Sequence, residues 1–424
     1  MELQNFISNI NEKTFENYQN IKYGKKIHRK FITIKGLILN KYYIYKLLIL
    51  LLLLLIMIYS NIYIKNDNLR KYKLFIKDCK NNKNFKKYNI SKSKNPYISI
   101  CLPVYNMQKF IESALLSIIR QSFENFEIII VNDKSNDNTE KIINKFQLYD
   151  NRIRIINHKK NLGVYRSRAD GIKNAKGKYI LLMDPDDMIL NPDLFKALYI
   201  YNSKYNLDII EFTVYYKRER SRYIYLSNNH EDNHYHEYNK TIINQPELSN
   251  IIFFNPKTKQ YSSVICRIIW NKLIKNKVLL KSINYIDKDF GNNFLITADD
   301  TPINIISFNF AKNFSNINLP GYLYNLRTNS MSRTKNGNKQ DIIISINYLL
   351  YYKLFYRYIK DFKKNINYLY YDLRIFYNYL LKIKTFNLSE YIPIVIHFCK
   401  DIIKNESITN EFKQFIEQLL LHFI

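Results

Sequence analysis

Cysteine is scarce: Cys79, Cys101, Cys266 and Cys399 are the only four in 424 residues, and none forms a C-x-x-C pair. That excludes a disulfide-stapled scaffold, a zinc ribbon and a thioredoxin-type redox centre. Eight Gly and nine Pro are too few for a collagen-like or linker-type chain. Neither G-x-G-x-x-G nor G-x-x-x-x-G-K-[ST] occurs, so dehydrogenase and P-loop readings have no support. Acidic residues are also few, 36 against 65 Lys and Arg, for a formal net charge of +29. The basic residues are spread along a chain that is rich in Lys, Asn, Ile and Tyr throughout. They form no recognisable nucleic-acid module, so nucleic acid is not an expected partner. Anionic lipid or a nucleotide diphosphate suits this charge better. What the chain does have is 47% hydrophobic and 15% aromatic residues, which exclude disorder as a description of the whole. Its length suggests two or three domains.

Residues 47–64, LLILLLLLLIMIYSNIYI, carry no charge. With Tyr42, Tyr43 and Tyr45 at one interface the run is long enough to span a bilayer. No small-residue cleavage site follows it, so an uncleaved anchor is expected rather than a signal peptide. The expected plan is a basic tail (1–45), a transmembrane anchor (46–64) and a Lys/Asn-rich stem (65–95). An α/β domain in two halves (96–216 and 217–340) and a helical C-terminal subdomain (341–424) follow.

From Pro96 the texture changes. Apolar runs at 97–105, 126–133, 152–157, 178–184 and 207–216 read as buried strands. Between them, 107–121, 136–149, 163–175 and 191–205 carry helical spacing, the last with Asn191 as cap and Pro192 at its first position. Regular alternation predicts an α/β, Rossmann-like fold, with a mostly parallel sheet and helices on both faces. Ligands of such sheets bind beyond the carboxyl ends of the strands.

Those ends carry the informative residues. The first strand closes on Pro103-Val104-Tyr105-Asn106, the second on Asn132-Asp133, the fourth on Asp184-Pro185-Asp186-Asp187. Carboxylates one residue apart at a strand-to-turn junction can aim one group at a divalent ion and the other at a ribose or bridging water. Oxygen-only ligation suits Mg²⁺ or Mn²⁺. An Asp-Pro turn capping the next helix accounts for the same residues. His230, His234 and His236 lie beside Glu231, Asp232 and Glu237; they suit a metal if helical, but NHEDNHYHEYNK reads as a polar loop. Trp270, the only Trp, is either a sugar-stacking ring or a core residue.

The stretch PYISICLPVYN…VNDKSNDNT…NLGVYRSRADGIKNAKGKYILLMDPDD resembles the inverting glycosyltransferase family 2 domain of the GT-A fold. The matching positions are Pro103/Tyr105/Asn106, Asp133-x-Ser135-x-Asp137, Asn161/Gly163, Arg168 with Gly171, Ala175/Gly177/Tyr179 and Asp184/Asp186/Asp187, in order over about 120 residues. Asn132 and Ala169 depart from the usual pattern. Weaker matches follow at Trp270-Asn271-Lys272-Leu273, Asp299-Asp300 and Pro320 to Arg327 with Ser330-Met331-Ser332.

The resemblance implies a nucleotide-sugar donor, usually a UDP-sugar, and a glycan, protein or lipid acceptor. Asp133 would contact the base, with Pro103, Tyr105 and Asn106 lining the nucleotide pocket. Arg168 would lie near the diphosphate and Asp184 at the ribose. Asp186 would hold Mn²⁺ or Mg²⁺, with Asp187 as the alternative ligand. Asp300 would be the general base, beside Asp299. The expected enzyme is a single-pass, metal-dependent hexosyl- or N-acetylhexosaminyltransferase. It is placed in the Golgi or endoplasmic reticulum as a type II protein with a lumenal catalytic domain. Lys65, Arg70, Lys71, Lys73, Lys77 and Lys80, just after the anchor, argue instead for a cytosolic one. A polyprenyl-phosphate transferase and a non-catalytic binding module are the alternatives. Absence of Q-x-x-R-W argues against a processive polysaccharide synthase.

Overall fold

The computed structural model describes residues 94–218, 224–226, 242–245, 248, 254–255, 260–261, 268–290, 300–327, 338–362, 392–405 and 408–423. All of them belong to one compact unit, Leu69–Ile424. The expected anchor at 46–64, nearly all of the stem, the His230/His234/His236 group and Asp299 lie outside the described residues. Among the described residues no helix is long and apolar enough to cross a membrane.

The first half follows the predicted alternation. Strands β1 (Ile98–Val104), β2 (Phe126–Asn132), β3 (Ile153–Asn157) and β4 (Tyr179–Leu182) alternate with helices α1 (Ile111–Ile119), α2 (Thr139–Tyr149) and α3 (Val164–Asn174). β3, β2, β1 and β4 lie side by side and are parallel. Side chains alternate between two cores because successive strand residues face opposite sides. Ile100, Leu102, Ile128 and Ile130 pack on one face with Ile111, Leu115 and Ile143 of α1 and α2. Cys101, Ile129 and Val131 pack on the other with Tyr165, Ala169 and Ile172 of α3. The sheet is thus buried on both faces, as expected.

Helix α4 (Leu194–Tyr205) starts three residues beyond the cap predicted at Asn191. Asn191 instead makes the preceding turn, its Oδ1 accepting from the Asp193 N–H at 2.9 Å. Gln121 supplies the cap from another element, its Oε1 accepting from the Phe195 N–H.

The sheet itself is mixed rather than mostly parallel. After β5 (Met188–Ile189) and β6 (Ile209–Arg218), β11 (Lys272–Lys275) inserts antiparallel between β4 and β6. The small strands between β6 and β11 are β7 (Ile224–Leu226), β8 (Ile242–Asn244), β9 (Phe254–Asn255) and β10 (Gln260–Tyr261). β12 (Asn313–Leu326) runs parallel to β6 and antiparallel to β5. The reason β11 is hard to read is that a cation sits in it. Lys272 is fully buried, 2.7 Å from the equally buried Glu211 of β6. Asn271 and Asn316 also donate to that carboxylate. Burial raises the Glu211 pKa even so, against the nearby Lys272 charge. Breaking one partner of such a pair typically costs about 3–5 kcal/mol.

Helices α5 (Asn276–Phe290) and α6 (Asp300–Phe310) cover the α3 face. The C-terminal helices α7 (Asn338–Asp361), α8 (Ile392–Ile403) and α9 (Asn410–Phe423) extend this same core through Tyr358, Cys399 and Phe412. Arg357 locks α7 to α5, reaching Asp289 at 2.5 Å and lying 3.9 Å over the Tyr285 ring.

Candidate functional site

The site lies on the rim where β1, β2 and β4 end. β1 and β4 pair only as far as Cys101 and Leu182. Pro103 falls beyond that rung and has no N–H to continue the ladder, so the two strands part there. Tyr105 and Asn106 follow, exposed, with Asn106 at φ 54°. The Asn106 N–H donates to Ser135 Oγ and its Oδ1 accepts from the Asn136 N–H. Asp137 accepts from the Gln108 and Thr139 N–H groups. The Ser135 and Asp137 positions of the motif thus interlock the loops after β1 and β2.

Asp133 is buried, and its carboxylate is occupied from within. It accepts from the Leu162 and Gly163 N–H groups at 2.8 Å each and bonds His158 Nδ1 at 2.7 Å. These contacts tie it to His158 and to the loop into α3. Gly163 sits in that loop at φ 88°, a conformation that favours glycine. His158 Nε2 faces Asp170 at 3.2 Å. Pairing of Asn132 with Asn157 puts His158 next to Asp133; only the assembled register reveals that signal. Gly177 has a different reason: a Cβ there would lie 2.6 Å from the Ser99 backbone nitrogen.

From α3, Arg168 spans two acids. One guanidinium nitrogen is 2.7 Å from Asp184 and the other 2.5 Å from Asp300 in the first turn of α6. Residues 132 positions apart in sequence are thereby joined. Beside them, Asp184, Asp186 and Asp187 bring carboxylate oxygens within 4.8 Å of one another. The end of β12 is stitched onto this turn. Tyr322 Oη donates to Asp187 at 2.8 Å, and the Asn325 N–H donates to its other oxygen. Asn325 Nδ2 donates to the Asp186 carbonyl, and Arg327 Nε lies 2.5 Å from the Asp186 carboxylate. Trp270 stacks on Tyr322 and Tyr324 at 5.0 and 4.7 Å and is nearly buried, so it backs the site as a core residue.

Burial and the neighbouring Asp184 raise the Asp186 pKa, while Arg327 pulls it down. Asp187 is raised well above the ordinary carboxylate range by burial, then by Asp186 and Asp184. Crowded acids of this kind mark functional sites.

Residues 99–279 match the family model described as glycosyl transferase family 2. This segment is a glycosyl transferase family 2 domain. Among curated proteins, the uncharacterized glycosyltransferase EpsJ of Bacillus subtilis is 28% identical over 237 residues, 56% of this chain and 63% of EpsJ. Glycosyltransferase GlyG of Streptococcus pneumoniae is 34% identical over 113 residues, 27% of this chain and 37% of GlyG. The processive diacylglycerol beta-glycosyltransferase of Mycoplasma pneumoniae is 28% identical over 61% of this chain and 72% of its own length. The chain thus spans less than two thirds of EpsJ and GlyG. The S. aureus TarS 1-349 structure in complex with UDP overlays 77% of this chain and 88% of its own, at 17% identity and a TM-score of 0.47.

Within the family 2 domain the Asp184, Asp186 and Asp187 donor set is all oxygen and anionic, which fits a hard divalent cation. The fit is closest at Asp184 and Asp186, because Asp187 is committed to Tyr322 and Asn325. A cation held there would act as a Lewis acid on the diphosphate leaving group. The sequence shows Tyr322, Asn325 and Arg327 only as a tail pattern; that they pair with the Asp-rich turn emerges only from the fold.

Proposed function

We propose that the chain is a membrane-anchored, inverting glycosyltransferase that moves one sugar from a nucleotide diphosphate sugar, most simply a UDP-sugar, to an acceptor hydroxyl. The observation that carries this reading is Arg168 gripping Asp184 and Asp300 together beside the Asp-rich turn. One guanidinium fixes the acid on the donor side relative to the acid on the acceptor side. Asp300 is the general base that takes the acceptor proton as the hydroxyl attacks the anomeric carbon opposite the diphosphate. Asp184 and Asp186 hold Mn²⁺ or Mg²⁺, Asp184 lies toward the ribose, and Tyr105 and Asn106 border the nucleotide. The anchor is the apolar run at 47–64.

The test is nucleotide diphosphate release by the full chain, with Mn²⁺ and a panel of UDP- and GDP-sugars. Slow hydrolysis of one donor, abolished by EDTA and by Asp186→Asn, supports the reading and names the sugar. Failure to bind UDP in calorimetry sinks the UDP-sugar reading, and failure to bind GDP as well sinks the nucleotide-sugar donor. A lipid acceptor is favoured by the apolar run together with the lipid substrate named for the Mycoplasma relative; labelled sugar absent from the lipid extract would exclude it.

A further inference from the structure

The two arginines of the site are held differently. Arg168 is 6% exposed and paired with two carboxylates. Arg327 is 18% exposed, and its ion pair is with Asp186 alone among the described residues. Its guanidinium also lies over the Phe110 ring, 4.8 Å from the centroid, a parking place that gives a cation modest attraction without a counter-charge. Arg327 thus occupies the same Asp186 carboxylate that a divalent cation would need. Two guanidinium groups face the crowded Asp184, Asp186 and Asp187 oxygens, and one of them, Arg168, is shared with Asp300, so Arg327 is the cation that serves Asp186. A guanidinium displaced from Asp186 would remain at the rim, where its planar fork matches a phosphate as well as a carboxylate.

We propose that Arg327 is an exchangeable counter-ion: it neutralises Asp186 before a divalent cation arrives, then yields that carboxylate and pairs with the diphosphate of the nucleotide. The inference rests on the donor-site reading above. No covalent step is involved. Because the exchange couples two ligands, each must strengthen binding of the other by the same factor. Cation alone competes with Arg327 for Asp186; cation plus nucleotide offers Arg327 a new partner.

The experiment measures Mn²⁺ binding to the full chain by the electron paramagnetic resonance of the free ion, and UDP binding by calorimetry. Arg327→Gln should bind Mn²⁺ without nucleotide about tenfold more tightly than the unmodified chain. It should bind UDP in the presence of Mn²⁺ about tenfold more weakly, as expected for one charge-assisted contact. Arg327→Lys keeps the charge but loses the fork and should fall between, which separates exchange from general damage. Unchanged or weaker Mn²⁺ binding in both variants overturns the exchange. Unchanged UDP binding overturns the diphosphate contact. If no protein binds Mn²⁺ while UDP still binds, the exchange fails and the donor reading survives. If UDP binds to none of them, the UDP-sugar reading and the diphosphate contact fall together, whatever the Mn²⁺ result.

Discussion

At the end of β2, Asp133 is held by the Leu162 and Gly163 N–H groups and by His158. At the end of β4, Asp184 and Asp186 are held by the guanidinium groups of Arg168 and Arg327. Both stretches place acids on the same rim, yet their partners differ in what can leave. A backbone N–H is fixed by the chain that carries it, so a carboxylate satisfied that way is held in one place on the folded loop. A guanidinium on a long side chain can be exchanged for a cation or swung to an anion, so a carboxylate satisfied that way remains available for chemistry. Asp187 shows that one turn can contain both kinds: next to Asp186, it is fully buried and held by Tyr322 and the Asn325 N–H.

The contrast breaks first at Asp300. Asp300→Asn should lower kcat about 10²–10⁴-fold, the usual worth of a general base. Its carboxylate is partly exposed, so the accompanying Tm change should stay within about 3 °C, under ~1 kcal/mol. A large Tm loss with retained turnover would move Asp300 to the scaffold side. Asp186→Asn should weaken Mn²⁺ binding about 10- to 100-fold, measured by calorimetry. It should not lower Tm, because burial and Asp184 already disfavour charge at this position. Asp133→Asn should do the reverse. An amide cannot accept at both former oxygens, so a buried N–H loses its partner at about 1–3 kcal/mol. Thermal unfolding should report that loss, with UDP affinity falling only as the loop into α3 loosens. If UDP binding disappears while Tm holds, Asp133 contacts the nucleotide, as the family resemblance implies.

Local periodicity made much of this fold legible. β1 to β4 and α1 to α3 are continuous apolar or amphipathic segments joined by short turns, and each element reports itself. β11 does not, because KLIK is four residues long and its first is a buried Lys whose partner, Glu211, lies 61 positions earlier. β12 is obscured by Pro320-Gly321, within the interval where its register against β6 shifts. The site divides along the same line. Acids at strand ends could be found because the ends could be found. Which cation or N–H meets each acid depends on contacts such as Leu162 with Asp133 or Arg327 with Asp186, and no local pattern encodes them.

The smallest effect, and the finest test of the contrast, is at His158. The ring touches Asp133 on one nitrogen and Asp170 on the other and is nearly buried, but it is a side chain helping two backbone donors rather than replacing them. His158→Gln can keep a single donor toward Asp133 and give up the bond to Asp170. The expected cost is about 0.5–1.5 kcal/mol, smaller than for Asp133→Asn, with Mn²⁺ affinity unchanged because the ring's polar partners are Asp133 and Asp170 rather than the Asp-rich turn. If His158→Gln were to cost as much as Asp133→Asn, the backbone N–H groups would not be the dominant hold. The end of β2 would then be kept, like the end of β4, by a side-chain partner. Equal stability losses in the single variants and no further loss in the double variant would show the pair acting as one unit.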